Sequence, residues 1–259
     1  MIPYSKYTGC GNDFILIDNR QPVFSQFHSI PNICDRKAGF GADGVILLEA
    51  STHADYRMRI FNSDGSEAEM CGNGIRCLMK FLHEIGEKRP SCSVETLLKN
   101  LRLDLDGDDV CVEMGDPFDI QWELEVDGLK MDYLNTGVPH AIIFVDELEA
   151  IEPNLIGPSI RYHKAFAPKG TNVNFARVSP SGVVQVRTYE RGVEAETLAC
   201  GTGATATALA AARKYQLKSP VMVQVQSGEQ LKIGFNWNER RPTHVTMTGP
   251  ARKIQSGYI

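Results

Sequence analysis

The sequence predicts an α+β protein of two similar halves, each a curled, mostly antiparallel sheet around one central helix. Three observations predict it. Short runs rich in β-branched and aromatic residues outnumber helical stretches. One long helical pattern occurs in each half. A short phrase also occurs twice, as Cys71-Gly72-Asn73-Gly74 and Cys200-Gly201-Thr202-Gly203, 129 residues apart (71 to 200) in a chain of 259.

In the first half, residues 14–18, 44–49 and 56–61 read as strands. After Cys71, residues Ile75, Leu78, Met79, Leu82 and Ile85 fall at helical spacing, and Gly86 supplies a stop. In the second half, residues 142–145, 183–189, 221–225 and 245–248 read as strands, and the alanine-rich stretch 205–215 reads as a helix.

The halves match in order. Thr8-Gly9 leads through an apolar run to Asp18, and Thr136-Gly137 leads through another to Asp146, at a constant offset of 128 (8 to 136). The run from Arg59 to Cys71 answers that from Arg187 to Cys200, with one extra residue in the later copy. Lys37-Ala38 and Gly41 find counterparts in Lys164-Ala165 and Gly170. A repeat this long means two similar domains rather than a solenoid. Met114-Gly115-Asp116-Pro117 is turn-forming and sets the expected division at 1–115 and 116–250. No Gly/Ser-rich or Pro-rich linker separates them.

Composition narrows the function. Hydrophobic content of 42% and charged content of 23% are those of a soluble globular protein. A net charge of −5 without a long basic run argues against nucleic acid or an anionic membrane as partner. No apolar run reaches membrane-spanning length, and the first residues lack the apolar stretch of a signal peptide. Seven cysteines cannot all pair internally, so reduced thiols in the cytoplasm are the expectation. No Cys-x-x-Cys or zinc-ligand spacing occurs, and no metal is expected. Gly39-Phe40-Gly41-Ala42-Asp43-Gly44 has the form of a dinucleotide fingerprint, but it precedes a strand instead of opening a helix.

The chemistry follows from the two helix starts. A thiolate forms most readily at a helix N-terminus. Glycines after each cysteine let backbone approach a ligand, and the first amides of each helix have no internal partner. A small carboxylate suits such a place. Two such ends facing each other would set one thiol on each face of the carbon beside that carboxylate. One thiolate can then remove a proton as base while the other thiol delivers one as acid. The outcome is inversion at an α-carbon. A lone Cys before Gly is otherwise a small buried hydrophobe. Cys10, Cys34, Cys77, Cys92 and Cys111 have no mirrored counterpart and read as structural.

Several stretches resemble diaminopimelate epimerase: Gly9-Cys10-Gly11-Asn12-Asp13-Phe14, Phe61-Asn62-Ser63-Asp64-Gly65-Ser66, Met70-Cys71-Gly72-Asn73-Gly74-Ile75-Arg76-Cys77, Tyr189-Glu190-Arg191-Gly192 and Glu196-Thr197-Leu198-Ala199-Cys200-Gly201-Thr202-Gly203-Ala204. The likeness runs to Met247-Thr248-Gly249-Pro250-Ala251. It implies a cofactor-independent isomerase converting LL-diaminopimelate to the meso form, a precursor of lysine and peptidoglycan. It implies two pseudo-symmetric domains with the active site in the interdomain cleft, a last strand (251–259) returning to the first domain, and a homodimer. By the same resemblance, Cys71 and Cys200 are the acid/base thiols, and His140 and Glu190 help to polarise them. The reacting carboxylate lies on the amides of Gly72, Asn73, Gly201 and Thr202, with Asn12 near the reacting amine. Asn62, Asn172, Glu190 and Arg191 hold the distal end. Physically, the fork of Arg191 suits a carboxylate and Glu190 an ammonium.

Two positions depart from the family pattern. Val138 stands where many members carry Asn, and Gly44 where some carry Gln. Val138 cannot donate a side-chain hydrogen bond, which leads to an expectation of relaxed specificity toward other amino acids. Two other readings compete. A proline- or hydroxyproline-type racemase would use the same thiols, but its substrate has no use for Glu190 and Arg191. A non-catalytic thiol binding protein fits the duplicated helix starts poorly.

Overall fold

The structure is a computed structural model and describes residues 1–24, 29–239 and 241–259. The chain divides into unit 1, Met1–Val112 with Gly249–Ile259, and unit 2, Glu113–Thr248. The division expected from sequence lay at 115/116, with a return at 251.

In chain order, unit 1 contributes β1 (Pro3–Gly9), β2 (Asn12–Asp18), α1 (Ile30–Cys34), β3 (Gly44–Glu49), β4 (Tyr56–Asn62), β5 (Glu67–Ala68), α2 (Gly72–Glu84), β6 (Ser91–Glu95), β7 (Asn100–Asp106) and β8 (Asp109–Glu113). Unit 2 contributes β9 (Phe118–Val126), β10 (Leu129–Asn135), β11 (Pro139–Phe144), α3 (Pro153–Arg161), β12 (Asn172–Val178), β13 (Val184–Glu190), β14 (Ala195–Thr197), α4 (Gly201–Tyr215), β15 (Val221–Gln224), β16 (Gln230–Asn238) and β17 (Arg241–Gly249). β18 (Arg252–Tyr258) then pairs antiparallel with β1, from Pro3 against Tyr258 to Thr8 against Arg252.

Within unit 1, β1 and β2 form a hairpin closed by Cys10 and Gly11, both at positive φ (53° and 90°). Such a two-residue turn matches the twist of the strands it joins. β3 lies parallel to β2, and β4 antiparallel to β3. β6 continues parallel to β4, followed by antiparallel β7 and β8. The sheet wraps α2, whose Ile75, Leu78, Met79 and Leu82 are buried. The helix stops at Glu84, and Gly86 follows at φ +98°, a conformation that costs glycine little.

Unit 2 repeats the plan. β11 and β12 are parallel, β12 and β13 antiparallel, β13 and β15 parallel, and β16 and β17 follow antiparallel. β9 pairs with β10 as β18 pairs with β1, so the first strand of unit 2 fills the role that unit 1 gives to its last. The central helix α4 is enclosed for a different reason from α2. Its Ala204, Ala206, Ala208 and Ala210 are buried on every side, so strands approach closely all round. Gln216 in the left-handed conformation ends it, with Arg213 and Lys214 in its last turn.

The α+β reading therefore holds, and each strand and helix expected from the sequence is present. Among the described residues, no helix is long and apolar enough to cross a membrane.

Candidate active site

The sequence-predicted residues fall into two half-sites, one at the N-terminus of each central helix. In unit 1, Cys71 is extended (φ −139°, ψ 117°) and caps α2, and its Sγ accepts a hydrogen bond from the Gly74 amide at 3.4 Å. Gly74 lets the sheet approach closely: a Cβ there would lie 2.9 Å from Cδ1 of Ile46 and 3.1 Å from Cδ1 of Ile60, flexible ends that would have to shift. Gly72 and Asn73 supply the first-turn amides.

Beside them runs a directed chain of side-chain bonds. Arg76 Nη2 donates to Asn73 Oδ1 at 3.0 Å, Asn73 Nδ2 to Asn12 Oδ1 at 2.7 Å, and Asn12 Nδ2 to Asp43 Oδ2 at 3.0 Å. Arginine only donates and carboxylate only accepts, so every amide orientation in the chain is set from its ends. Fully buried Arg76 also reaches Gly72 O at 2.9 Å, Cys10 Sγ at 3.1 Å and Pro250 O at 3.3 Å. Asp43 and Asp13 share Arg36, and Lys6 holds Asp13 at 2.9 Å. Asp13 feels burial, which raises its pKa, but the bonds from Arg36 and Lys6 outweigh this and hold it below the usual carboxylate value. Asn62 is the last residue of β4, its Nδ2 donating to Ser66 Oγ at 2.9 Å across the turn that follows.

In unit 2, Cys200 is likewise extended (φ −121°, ψ 108°) and caps α4, followed by Gly201 and Thr202. Its Sγ lies 3.4 Å from Thr202 Oγ1. That hydroxyl is 3.0 Å from Nε2 of His140, and His140 Nδ1 is 3.1 Å from Nδ2 of Asn174. His140 is thus linked to the Cys200 thiol through the Thr202 hydroxyl. The imidazole is fully buried. Burial, and then the positive charge of Arg191, push its pKa down to about 3, against a smaller opposing effect of the Asn174 bond.

Half-buried Glu190 accepts from Thr197 Oγ1 at 2.9 Å, and burial raises its pKa. Asn172 is occupied by backbone: its Nδ2 donates to Pro139 O and its Oδ1 accepts from the Arg191 amide, each at 2.8 Å. It brackets the start of β11 and positions Arg191. Val138 is half-buried between Gly137 and Pro139. Gly44 has no room for a side chain, since a Cβ there would lie 2.4 Å from Phe61 O.

Sequence reasoning missed Arg76, Asp43, Asn174 and Thr197. One signal was present for Asn174: Asn172 and Asn174 stand two apart in the sequence Asn172-Val173-Asn174-Phe175-Ala176, so both face the same side of a strand. Arg76 gave none, because its position in a helix reads as a surface cation until the fold encloses it.

The diaminopimelate epimerase family model matches residues 4–118 and 133–254. The diaminopimelate epimerase of Chlorobaculum tepidum is 42% identical over 258 residues, covering 97% of this chain and 99% of the relative. That of Methanothrix thermoacetophila is 42% identical over 277 residues, covering 100% and 96%. Among solved structures, a phenazine biosynthesis protein of the PhzF family from Bacillus anthracis superposes with a TM-score of 0.76 at 16% identity, covering 100% of this chain and 98% of that one. A hydroxyproline epimerase from Agrobacterium vitis, with bound trans-4-OH-L-proline, gives 0.71 at 17%, covering 99% and 91%. At such identities the structural likeness speaks for the fold alone.

Proposed function

The chain belongs to the diaminopimelate epimerase family, and from that membership we propose that it inverts one α-carbon of LL-diaminopimelate to give meso-diaminopimelate. It is an isomerase. The observation that carries the mechanism is the repeated helix start: one cysteine caps the enclosed central helix of each unit at equivalent positions.

In this reading the reacting carboxylate is held by the amides of Gly72, Asn73, Gly201 and Thr202, assisted by the positive ends of α2 and α4. The reaction requires one thiol on each face of the α-carbon. One thiolate takes the α-proton, the electron pair stays on the carbon and spreads into the carboxylate, and the other thiol returns a proton on the opposite face. The reverse reaction exchanges the two roles. No electrons leave the substrate, so the step needs no redox cofactor. The α-proton is weakly acidic, and the fixed amide dipoles favour the carbanion-like state. Asn12 attends the reacting amine. Asn62, Glu190 and Arg191 hold the distal ammonium and carboxylate, with Asn172 setting Arg191 in place. Half-buried Val138 leaves that end with one donor fewer and widens the range of amino acids accepted.

The chemistry needs reduced cysteines, which suits the cytoplasm. A homodimer is the assembly that the sequence resemblance implies, and light scattering on the purified protein checks it. The functional test is incubation with LL-diaminopimelate in deuterated water. Formation of the meso isomer with one deuterium at the inverted carbon is expected. No exchange into diaminopimelate, or exchange into proline instead, would overturn the reading.

A further inference from the structure

The two cysteines are held by different donors. Cys71 takes a backbone amide, that of Gly74, whereas the side chain of Cys200 makes no capping bond to α4 and instead faces the Thr202 hydroxyl. A backbone donor survives any substitution but proline, whereas a hydroxyl can be removed by a change of side chain.

The direction of the Thr202 bond can be worked out from its far end. Ala141 O can only accept, so the atom of Asn174 lying 3.0 Å from it is the amide nitrogen. Its partner oxygen accepts from the Thr188 hydroxyl at 3.0 Å. The same nitrogen faces His140 Nδ1, which must therefore carry a lone pair. A neutral imidazole with a bare Nδ1 has its proton on Nε2. Burial keeps this imidazole neutral. Nε2–H then donates to Thr202 Oγ1, whose own hydrogen is left for Cys200 Sγ. A second bond pins the residue, because Thr136 Oγ1 donates to the Thr202 carbonyl at 2.9 Å. The corresponding chain in unit 1, from Arg76 through Asn73 and Asn12, ends on the carboxylate of Asp43.

From this geometry we propose that Thr202 is a positioning residue: the buried Asn174–His140 pair aims its hydroxyl hydrogen at Cys200 and so favours the Cys200 thiolate over the thiol. The inference rests on the reading of Cys200 as an acid/base group. Among the described residues of unit 2, the titratable and charged groups toward this end of α4 include His140, Arg191, whose charge acts on His140, and Glu190 at the end of β13. Of the other strands packed on α4, β10 places Asp132 near Arg213 and Lys214 at the far end of the helix, Arg187 of β13 is bound to Glu196, and Tyr189 donates to Glu194.

The test measures iodoacetamide alkylation of the purified protein from pH 5 to 9.5, with Cys71 and Cys200 peptides quantified separately by mass spectrometry. A hydrogen bond to a charged group is worth about one pKa unit or slightly more. Thr202→Val should therefore raise the apparent pKa of Cys200 by about one unit and slow its alkylation at pH 7 by about tenfold. Cys71 in the same molecules should be unchanged, and Thr202→Ser should restore the wild-type profile. Nitrogen NMR of the wild-type protein should show His140 protonated on Nε2. An unaltered Cys200 profile in folded Thr202→Val, or a proton on Nδ1, would overturn the proposal; the NMR arm holds even if that variant fails to fold. Alkylation needs no turnover, so a protein that fails to epimerise diaminopimelate would sink the functional reading and leave this result standing.

Discussion

A methyl group on Gly203 would sit 2.5 Å from Oδ1 of Asn174, the amide that sets the tautomer of His140. The equivalent glycine of unit 1, Gly74, faces the terminal methyls of Ile46 and Ile60 most closely, with Cβ of Cys71 at an ordinary 3.5 Å. Alanine gains about 0.5–1 kcal/mol over glycine inside a helix. Flexible methyl ends can yield, but a doubly bonded buried amide cannot move without losing partners. Gly74→Ala should therefore stay within about 1 kcal/mol of wild type, whereas Gly203→Ala should lose about 1–3 kcal/mol. Chemical denaturation of both variants decides it, and equal losses would refute the difference.

The paired thiols carry the sharpest expectation. Cys71→Ser and Cys200→Ser should each lower epimerisation by on the order of 10²–10⁴, the range for loss of a positioned acid or base. Circular dichroism should show both variants folded. Near-normal turnover in either would remove it from the two-base scheme.

Gly44 and Val138 differ in what they permit. The carbonyl of Phe61 occupies the space that any side chain at position 44 would enter. Gly44→Gln should destabilise unit 1 by roughly 1–3 kcal/mol through overpacking, read as a lowered midpoint in urea. Val138→Asn introduces a donor near the distal groups and should raise the preference for diaminopimelate over glutamate. Competition between the two substrates measures the ratio, and an unchanged ratio would clear Val138 of any role in specificity.

His140 links stability to pH. Its folded pKa, about 3, lies below the value near 6.5 of an unfolded histidine. Between those values the unfolded chain binds a proton that the folded chain refuses. The stability due to a neutral His140 is thus complete above about pH 6.5 and falls with acid, at up to about 1.4 kcal/mol per pH unit. The gap in unfolding free energy between wild type and His140→Gln should narrow steadily from pH 7 to pH 4. A constant gap would show that the folded protein takes up the His140 proton as readily as the unfolded chain does.

The central helices and their starts were legible because periodicity and the Cys-Gly-x-Gly phrases are local features. The repeat located the strands that form the inner part of each sheet. β9 escaped notice: it carries Asp119, Gln121, Glu123 and Glu125 and is largely exposed, so it offers no apolar run to detect. The partners of the site residues were hidden for another reason. His140 meets Thr202 across 62 positions and Asn174 across 34, and nothing in residue type alone announces such meetings. Composition marks which groups can do chemistry, whereas the bonds that aim them exist only once parallel strands have brought distant segments into register.

The pairing of β18 with β1 joins segments about as far apart as this chain allows. A ribosome makes residues 252–258 after all of unit 2 has been completed. Throughout that interval the nascent β1 exposes an unsatisfied edge, open to strands of other chains. The second half can mature on its own schedule, but the first must wait for residues 252–258 to emerge before its sheet is sealed.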